Sequence, residues 1–432
     1  MKNIIKIAWR NLLRYTRRTL LTSSLIALGV MLVIVFGGVG NSFRSEVIAI
    51  LTDSNLGHLQ IHRKGYLGSM DNLPLDLAIN EKGLGAIRKI LDASPDVLAY
   101  SERIRFGAMI SNFASTTNMR LTAVRPDKES ATCPDLPGRI KEGDAAAASF
   151  VKQGSIVLPQ NIAAGLGFKI GDEVVLVATN KDGSVNGLTF KLSGVSENIM
   201  GPQGKDGYIH LDDARSLLRI ESEEVTEIAV KLKDFNRLGA AAAALKKELA
   251  ALPGAKKAEG EQAKPGAEPG AKPGKAGFEL HTWEDLSPFS SIARMVTLLI
   301  LVVRLVLVFI VLVSVLNVMM MSVYERIGEI GTMASIGTPP GKILALFLTE
   351  GLSLGFFSGI IGGAAGAGIL LLLKALELHF TFGNMDLVLS PAVPLGELAL
   401  ALAVVVLISA LASLQPALKA SRMEPVEALR HV

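Results

Sequence analysis

A chain of 432 residues that is 50% hydrophobic, 19% charged and has a mean hydropathy of +0.41 is too apolar for a soluble enzyme or a disordered segment. At roughly 150 residues per domain it amounts to about three folding units, and the clustering of its apolar residues is that of an integral membrane protein. The net charge of +4 does not point to nucleic acid, because the basic residues gather beside an apolar run at the N-terminus, where membrane orientation accounts for them.

Residues 1–18 form an interfacial amphipathic helix, with Ile5, Trp9 and Leu13 opposite Lys2, Lys6, Arg10 and Arg14. The apolar run 20–39 follows, residues 19–41 are the first transmembrane helix, and residues 41–51 continue that helix outward as a stalk. Arg17 and Arg18 add to the basic residues before it, no acid intervenes, and the positive-inside rule puts the N-terminus in the cytoplasm. Residues 16–21 (TRRTLL) also resemble a twin-arginine export signal, but the apolar run is long for one and three more spans follow, which favours an uncleaved anchor.

Residues 42–291 are too long and too mixed for a loop and make an α+β extracytoplasmic domain. Alternation and β-branched content predict strands at 58–62, 109–113, 119–124, 155–158, 173–178, 188–195 and 228–232. Helices fit 84–91, 160–166, 212–218 and 236–252, and a β-rich insertion occupies about 140–211. Residues 253–277 hold Pro, Gly, Ala, Lys and Glu with no large apolar side chain, which predicts a disordered loop.

The second transmembrane helix with its stalk covers 292–322 and contains Arg304. A charge at mid-bilayer costs roughly 2.5–3.5 kcal/mol. Arg304 is ~26 Å from Met321 at 1.5 Å per residue, near the outer interface, which favours snorkelling over a substrate or gating role. A short cytoplasmic segment, 323–342, precedes the third helix at 343–373. There Gly351, Gly355, Gly359 and Gly363 recur every four residues beside a second row, Gly362 and Gly366, a pattern that packs membrane helices closely. Glu350 sits about two turns in from the cytoplasmic surface, within reach of water or a neighbouring helix. An external loop at 374–394, a fourth helix at 395–415 and a cytoplasmic tail at 416–432 complete the chain. The fold class is therefore an α-helical membrane protein with four transmembrane helices and a large α+β domain inserted between helices one and two.

Chemistry-bearing motifs are sparse. No GxxxxGK[ST] phosphate loop occurs, and the stretch 337–343 (GTPPGKI) has the wrong spacing and lacks the magnesium-ligating hydroxyl. The residues contain no HExxH, GxSxG or paired cysteines, Cys133 being the single thiol. His58 and His62 are expected as a surface pair on one strand face rather than a metal site.

Residues 324–350 (YERIGEIGTMASIGTPPGKILALFLTE), the glycine rows after them and the closing stretch 416–430 (PALKASRMEPVEALR) resemble the FtsX-like, MacB-like permease family of ABC transporters. The order of basic helix, one span, large external domain and three spans matches the same family over essentially the whole chain. The resemblance implies a permease of the bacterial cytoplasmic membrane, both termini inside, that dimerises with a second copy or a paralogue and recruits a dimer of ATPase subunits. By that resemblance no cofactor binds this chain; ATP and Mg belong to the ATPase. Coupling to the ATPase would run through Glu325, Arg326, Glu329, Ile330 and Ile336, and the C-terminal motif is carried by Pro416, Arg422, Pro425 and Glu427. The sequence departs from the family pattern at Ala334 and at Pro339-Pro340, which leaves the details of that contact open. Relatives of this layout release lipoproteins, export drugs or peptides with a periplasmic adaptor, or regulate cell-wall hydrolases. The large external domain with its β-rich insertion resembles the lipoprotein-release and efflux types more than the division type, and the lack of a fused ATPase disfavours efflux pumps that carry one, which favours lipoproteins or other hydrophobic envelope substrates.

Overall fold

The computed structural model describes residues 10, 14, 16–143, 149–197, 206–252, 277–287, 290–382, 385–393 and 395–424. Most of the predicted N-terminal amphipathic helix, nearly all of the 253–277 loop, and Pro425 and Glu427 lie outside them. The chain divides into a helical unit (Met1–Glu46, Ile292–Phe380, Leu387–Val432) and an α/β unit (Val47–Ser291, Thr381–Asp386).

Helix α1 (Thr16–Leu51) takes in the first span and the stretch 41–51 read as its stalk. The mostly polar stretch 41–46 holds no proline or glycine to stop the helix, and Ile48, Ile50 and Leu51 beyond it are buried. The α/β unit then starts with β1 (Leu59–Arg63). Helix α2 (Glu81–Ala93) begins where the Asn80 side chain accepts a hydrogen bond from Gly83 N, an N-cap that satisfies one orphan donor. Leu84, Ile87 and Leu91 form its buried stripe at helical spacing, worth roughly 1.5–3 kcal/mol for each side chain removed from water.

Strand β2 (Val97–Ser111) is the backbone of the unit. With β1, β3 (Thr116–Val124), β4 (Ile140–Gly143), β5 (Ser155–Pro159), β6 (Glu173–Thr179), β7 (Val185–Ser196), β8 (Asp206–His210), β9 (Glu227–Leu232) and β10 (Phe278–Thr282) it builds one ten-stranded sheet, ordered β10-β1-β9-β2-β3-β8-β5-β7-β4, with β6 joining β2 to β7. The half of β2 near Val97 pairs with β9, and the half ending at Ser111 pairs with β3 and β6. The predicted insertion at 140–211 therefore shares its sheet with the rest of the unit, because β2 is long enough to belong to both parts. Helices α3 (Pro126–Thr132), α4 (Gln160–Leu166), α5 (Leu211–Leu218) and α6 (Leu238–Ala250) complete the unit, with α5 and α6 contributing Leu217, Leu245 and Leu249 to its core.

A capping box between Thr282 and Asp285 starts the short α7 (Trp283–Leu286). The chain then enters α8 (Ser290–Glu325), α9 (Ile327–Ser335), α10 (Pro340–Ala375) and α11 (Leu395–Ser421). Gly337 at φ +88° ends the α9 turn, with its N–H on Ala334 O and that of Thr338 on Met333 O. Pro340 occupies the first position of α10, where its missing N–H costs nothing. The two prolines that break the family pattern are thus a helix start. Between α10 and α11 the predicted external loop forms a hairpin of β11 (Leu378–Phe382) and β12 (Met385–Leu389). Helices α1, α8, α10 and α11 are each long and apolar enough to cross a bilayer.

Candidate functional site

The segment from Tyr324 to Pro340 sorts its residues onto two sides. Glu325 and Glu329 are exposed, and Ile336 is 80% exposed. Arg14 Nη1 donates to Glu329 Oε1 at 3.3 Å, and Lys419 Nζ donates to Tyr324 Oη at 2.6 Å. Arg326 and Ile330 turn the other way, which corrects the expectation that both lie on the docking face. Ile330 is 1% exposed and packs with Val323, Ile343 and Ala417 in the helical core. The Arg326 side chain is 5% exposed, and its Nη1 donates to both oxygens of Glu350, at 3.3 and 3.2 Å. Neither charge can stay buried alone, so α10 selects the orientation of the turn between α8 and α9. Glu350 has its neighbour here rather than water. In the C-terminal motif, Pro416 is buried within α11 and Arg422 is exposed.

The glycine rows face two different helices. A Cβ added at Gly351 would lie 2.5 Å from Ser413 Cβ, one at Gly355 would overlap the Ser409 side chain, and one at Gly359 would lie 2.7 Å from Leu402 Cδ1. That row lets α10 approach α11. The second row approaches α1: a Cβ at Gly362 would overlap the Ala27 carbonyl oxygen, and one at Gly366 would lie 3.1 Å from Ile34. Gly363, expected in the packing stripe, is out of it, since an added Cβ meets only Ile34 at an ordinary 3.9 Å. Gly362→Ala should therefore lower the thermal stability of the purified protein by about 1–3 kcal/mol of overpacking, because backbone cannot step aside. Gly363→Ala and Gly368→Ala, with room for a methyl, should leave the melting temperature unchanged.

At the far end of α8 from Arg326, Arg304 Nη2 donates to Glu397 Oε2 at 3.4 Å, and Asn41 Nδ2 donates to Glu397 Oε1 at 2.9 Å. Arg304 thus snorkels no further than a carboxylate on α11. On α1 it lies against Gly37, where an added Cβ would come within 2.7 Å of Nη2. Sequence reasoning found Arg304 but not its partners, and the signal was the acid at 397 facing it from the start of the fourth span.

The α/β unit buries a charge network that sequence reasoning missed. Arg103 Nε and Nη2 hold Glu129 of α3, its Nη1 donates to Glu227 Oε1 of β9 at 3.0 Å, and Nη2 also donates to Cys133 Sγ at 3.2 Å. Arg105 Nη1 adds a contact to Glu227 Oε2 at 3.5 Å. Burial works to raise the Glu227 pKa, but Arg105, His62 and Arg103 outweigh it and hold the carboxyl well below its usual range. Burial, reinforced by Glu129, pushes the Cys133 thiol up to about 12, so it is an inert core residue. The expected surface pair of histidines is corrected here. His58 is 6% exposed and accepts from Leu232 N at 3.0 Å, while His62 is fully buried, 3.7 Å from Glu227 and stacked on Tyr66. The seam between β1 and β9 is covered on the face that alternation alone assigns to solvent.

Four bilayer-length helices packed through glycine rows, with an α/β unit carried in the chain between the first two, define a multi-pass membrane protein. Residues 19–248 match the MacB-like periplasmic core domain, and residues 301–425 match the FtsX-like permease C-terminal domain. The chain belongs to this family and is an ABC transporter permease of the MacB, LolC and FtsX type. It is 34% identical over 142 residues to the macrolide export ATP-binding/permease protein MacB of Syntrophobacter fumaroxidans, covering 33% of this chain and 18% of that protein. It is 21% identical to the lipoprotein-releasing system transmembrane protein LolC of Neisseria meningitidis serogroup B, covering 96% of this chain and 94% of that one. The periplasmic region of MacB from Actinobacillus actinomycetemcomitans aligns with 56% of this chain and 94% of that structure, at 14% identity and a TM-score of 0.35.

Proposed function

We propose that this chain is the transmembrane subunit of an ABC transporter that passes ATP-driven motion to an extracytoplasmic α/β domain, for the release of lipoproteins or the translocation of other hydrophobic envelope substrates. The observation that carries the substrate reading is collinearity, since the LolC relative aligns over 96% of this chain and 94% of its own length. The basic residues before α1 support cytoplasmic termini in the inner membrane. In this reading Glu325, Glu329 and the exposed Ile336 dock in the groove of an ATPase dimer that holds ATP and magnesium, and a second copy or a paralogue completes the permease. A second reading, efflux with a periplasmic adaptor, is favoured by the 34% identity to the macrolide export protein, although that match spans only 18% of it.

Affinity purification of the tagged protein from native membranes in mild detergent, with mass spectrometry of what accompanies it, tests both. An ATPase together with acylated lipoproteins is the expected result, and an ATPase with an adaptor and an outer-membrane channel would replace it by efflux. Glu329→Lys should insert normally and lose at least 10-fold of the co-purifying ATPase. An undiminished yield would remove Glu329 from the contact.

A further inference from the structure

Helices α1, α8 and α11, with Leu370 of α10, line a partly open cavity of about 150 Å³. Its wall is aliphatic, with Val30 and Ile34 from α1, Val308 and Val311 from α8, and Val404 and Ile408 from α11. An apolar cavity of this size stays dry and takes up a small apolar group. One end differs, because Arg304 and Glu397 line it. Both Glu397 oxygens are engaged, by Asn41 and by Arg304 Nη2. Arg304 Nε is shielded from solvent and has no acceptor among the described residues. A buried donor without an acceptor is rare and costly, so the site is incomplete as this chain alone presents it.

Depth says which acceptor is at hand. Arg304 lies about 33 Å from Arg326 along the helix at roughly 1.5 Å per residue, close to the thickness of the hydrocarbon core. With the Arg326–Glu350 pair at one face of that core, Arg304 falls at the other, at the level of lipid ester and phosphate oxygens. The apolar cavity lies on the hydrocarbon side of it. An oxygen acceptor joined to an aliphatic chain that descends from it is what a phospholipid offers. We propose that the cavity seats part of one acyl chain of a bilayer phospholipid, with an ester or phosphate oxygen of the same molecule accepting from Arg304 Nε. The seat completes the arginine's hydrogen bonding and fills the gap between three helices. It requires only that the chain span the membrane, and so stands apart from the substrate reading.

The test is native mass spectrometry of the full chain released from nanodiscs of phosphatidylethanolamine and phosphatidylglycerol, at rising collision energy. Wild type should keep one phospholipid per chain after the bulk lipid is stripped. Ala401→Phe, which fills the cavity from α11, should lose it, and Arg304→Met, which keeps the aliphatic stem and removes the donor, should hold it at least 10-fold less. Both variants are read only at an unchanged elution volume. Should Ala401→Phe misfold, Arg304→Met carries the test alone. The proposal is overturned by a wild type that retains no phospholipid, by variants that retain it as wild type does, by a retained fatty acid without glycerophosphate, or by disulfide linkage of two Ala401→Cys chains through the cavity.

Discussion

Glu350→Ala is expected to destabilise the helical unit by about 3–5 kcal/mol, the cost of leaving a buried partner charge uncompensated. Both members of the pair are 5% exposed, and Glu350 accepts through both oxygens from one arginine nitrogen, so no water stands ready to replace the carboxylate. The paired change Glu350→Leu with Arg326→Met removes both charges and keeps the volume, and should recover most of the loss. Loss of the monodisperse peak after stepwise heating in detergent measures all three. A double variant as unstable as the single one would mean that the pair does more than neutralise itself. Arg304→Ala is the contrasting case. Its partner Glu397 is 43% exposed and Arg304 itself 37%, so the pair is worth about 0–1 kcal/mol and the melting temperature should barely move.

The four spans were legible in the sequence because bilayer crossing needs length and hydropathy, and both are local properties. The glycine rows were legible for a related reason: a four-residue repeat stays on one helix face whatever the neighbour is. Which neighbour each row meets was not, since Gly355 and Gly362 differ in direction only through the placement of α11 and α1. Arg326 shows the limit for charge. In a short polar segment between two spans, every charged residue reads as solvent-facing, and only the acid nearly three turns into α10 decides that this one is inside. The strands at 155–159, 173–179 and 227–232 were read nearly to their ends from β-branched content, whereas the start of β2 and the whole of β10 were missed. Both are polar: Ser101, Glu102, Arg103 and Arg105 give the start of β2 the composition of a wet segment, and Glu279 and His281 alternate with apolar residues in β10. The cover of α3 over Arg103, through Glu129, is a tertiary contact with no local signature.

That cover makes the α/β unit sensitive to acid. Because the Glu227 carboxyl is held well below its ordinary 4.5 in the folded protein, it contributes stability that is fully present above about pH 4.5 and is lost as pH falls towards its folded value. Asp53, lowered against burial by His58 and Lys231, and Glu102, lowered against burial by Arg88 and Lys128, act in the same direction, so wild type alone does not isolate Glu227. The comparison with Glu227→Gln does. That variant leaves Arg103 and Arg105 buried with one carboxylate fewer and should lose about 3–5 kcal/mol at neutral pH. Between pH 5 and pH 3 its stability should fall less steeply than that of wild type, because the titrating group is gone. Trp283, 2% exposed in this unit, reports the unfolding by fluorescence once the other tryptophan is removed as Trp9→Phe. Parallel pH profiles for the two proteins would mean that Glu227 does not titrate with unfolding. A steeper profile in wild type, converging on the variant in acid, would show that the Arg103–Glu227 link adds to the β2–β9 pairing only while Glu227 is charged.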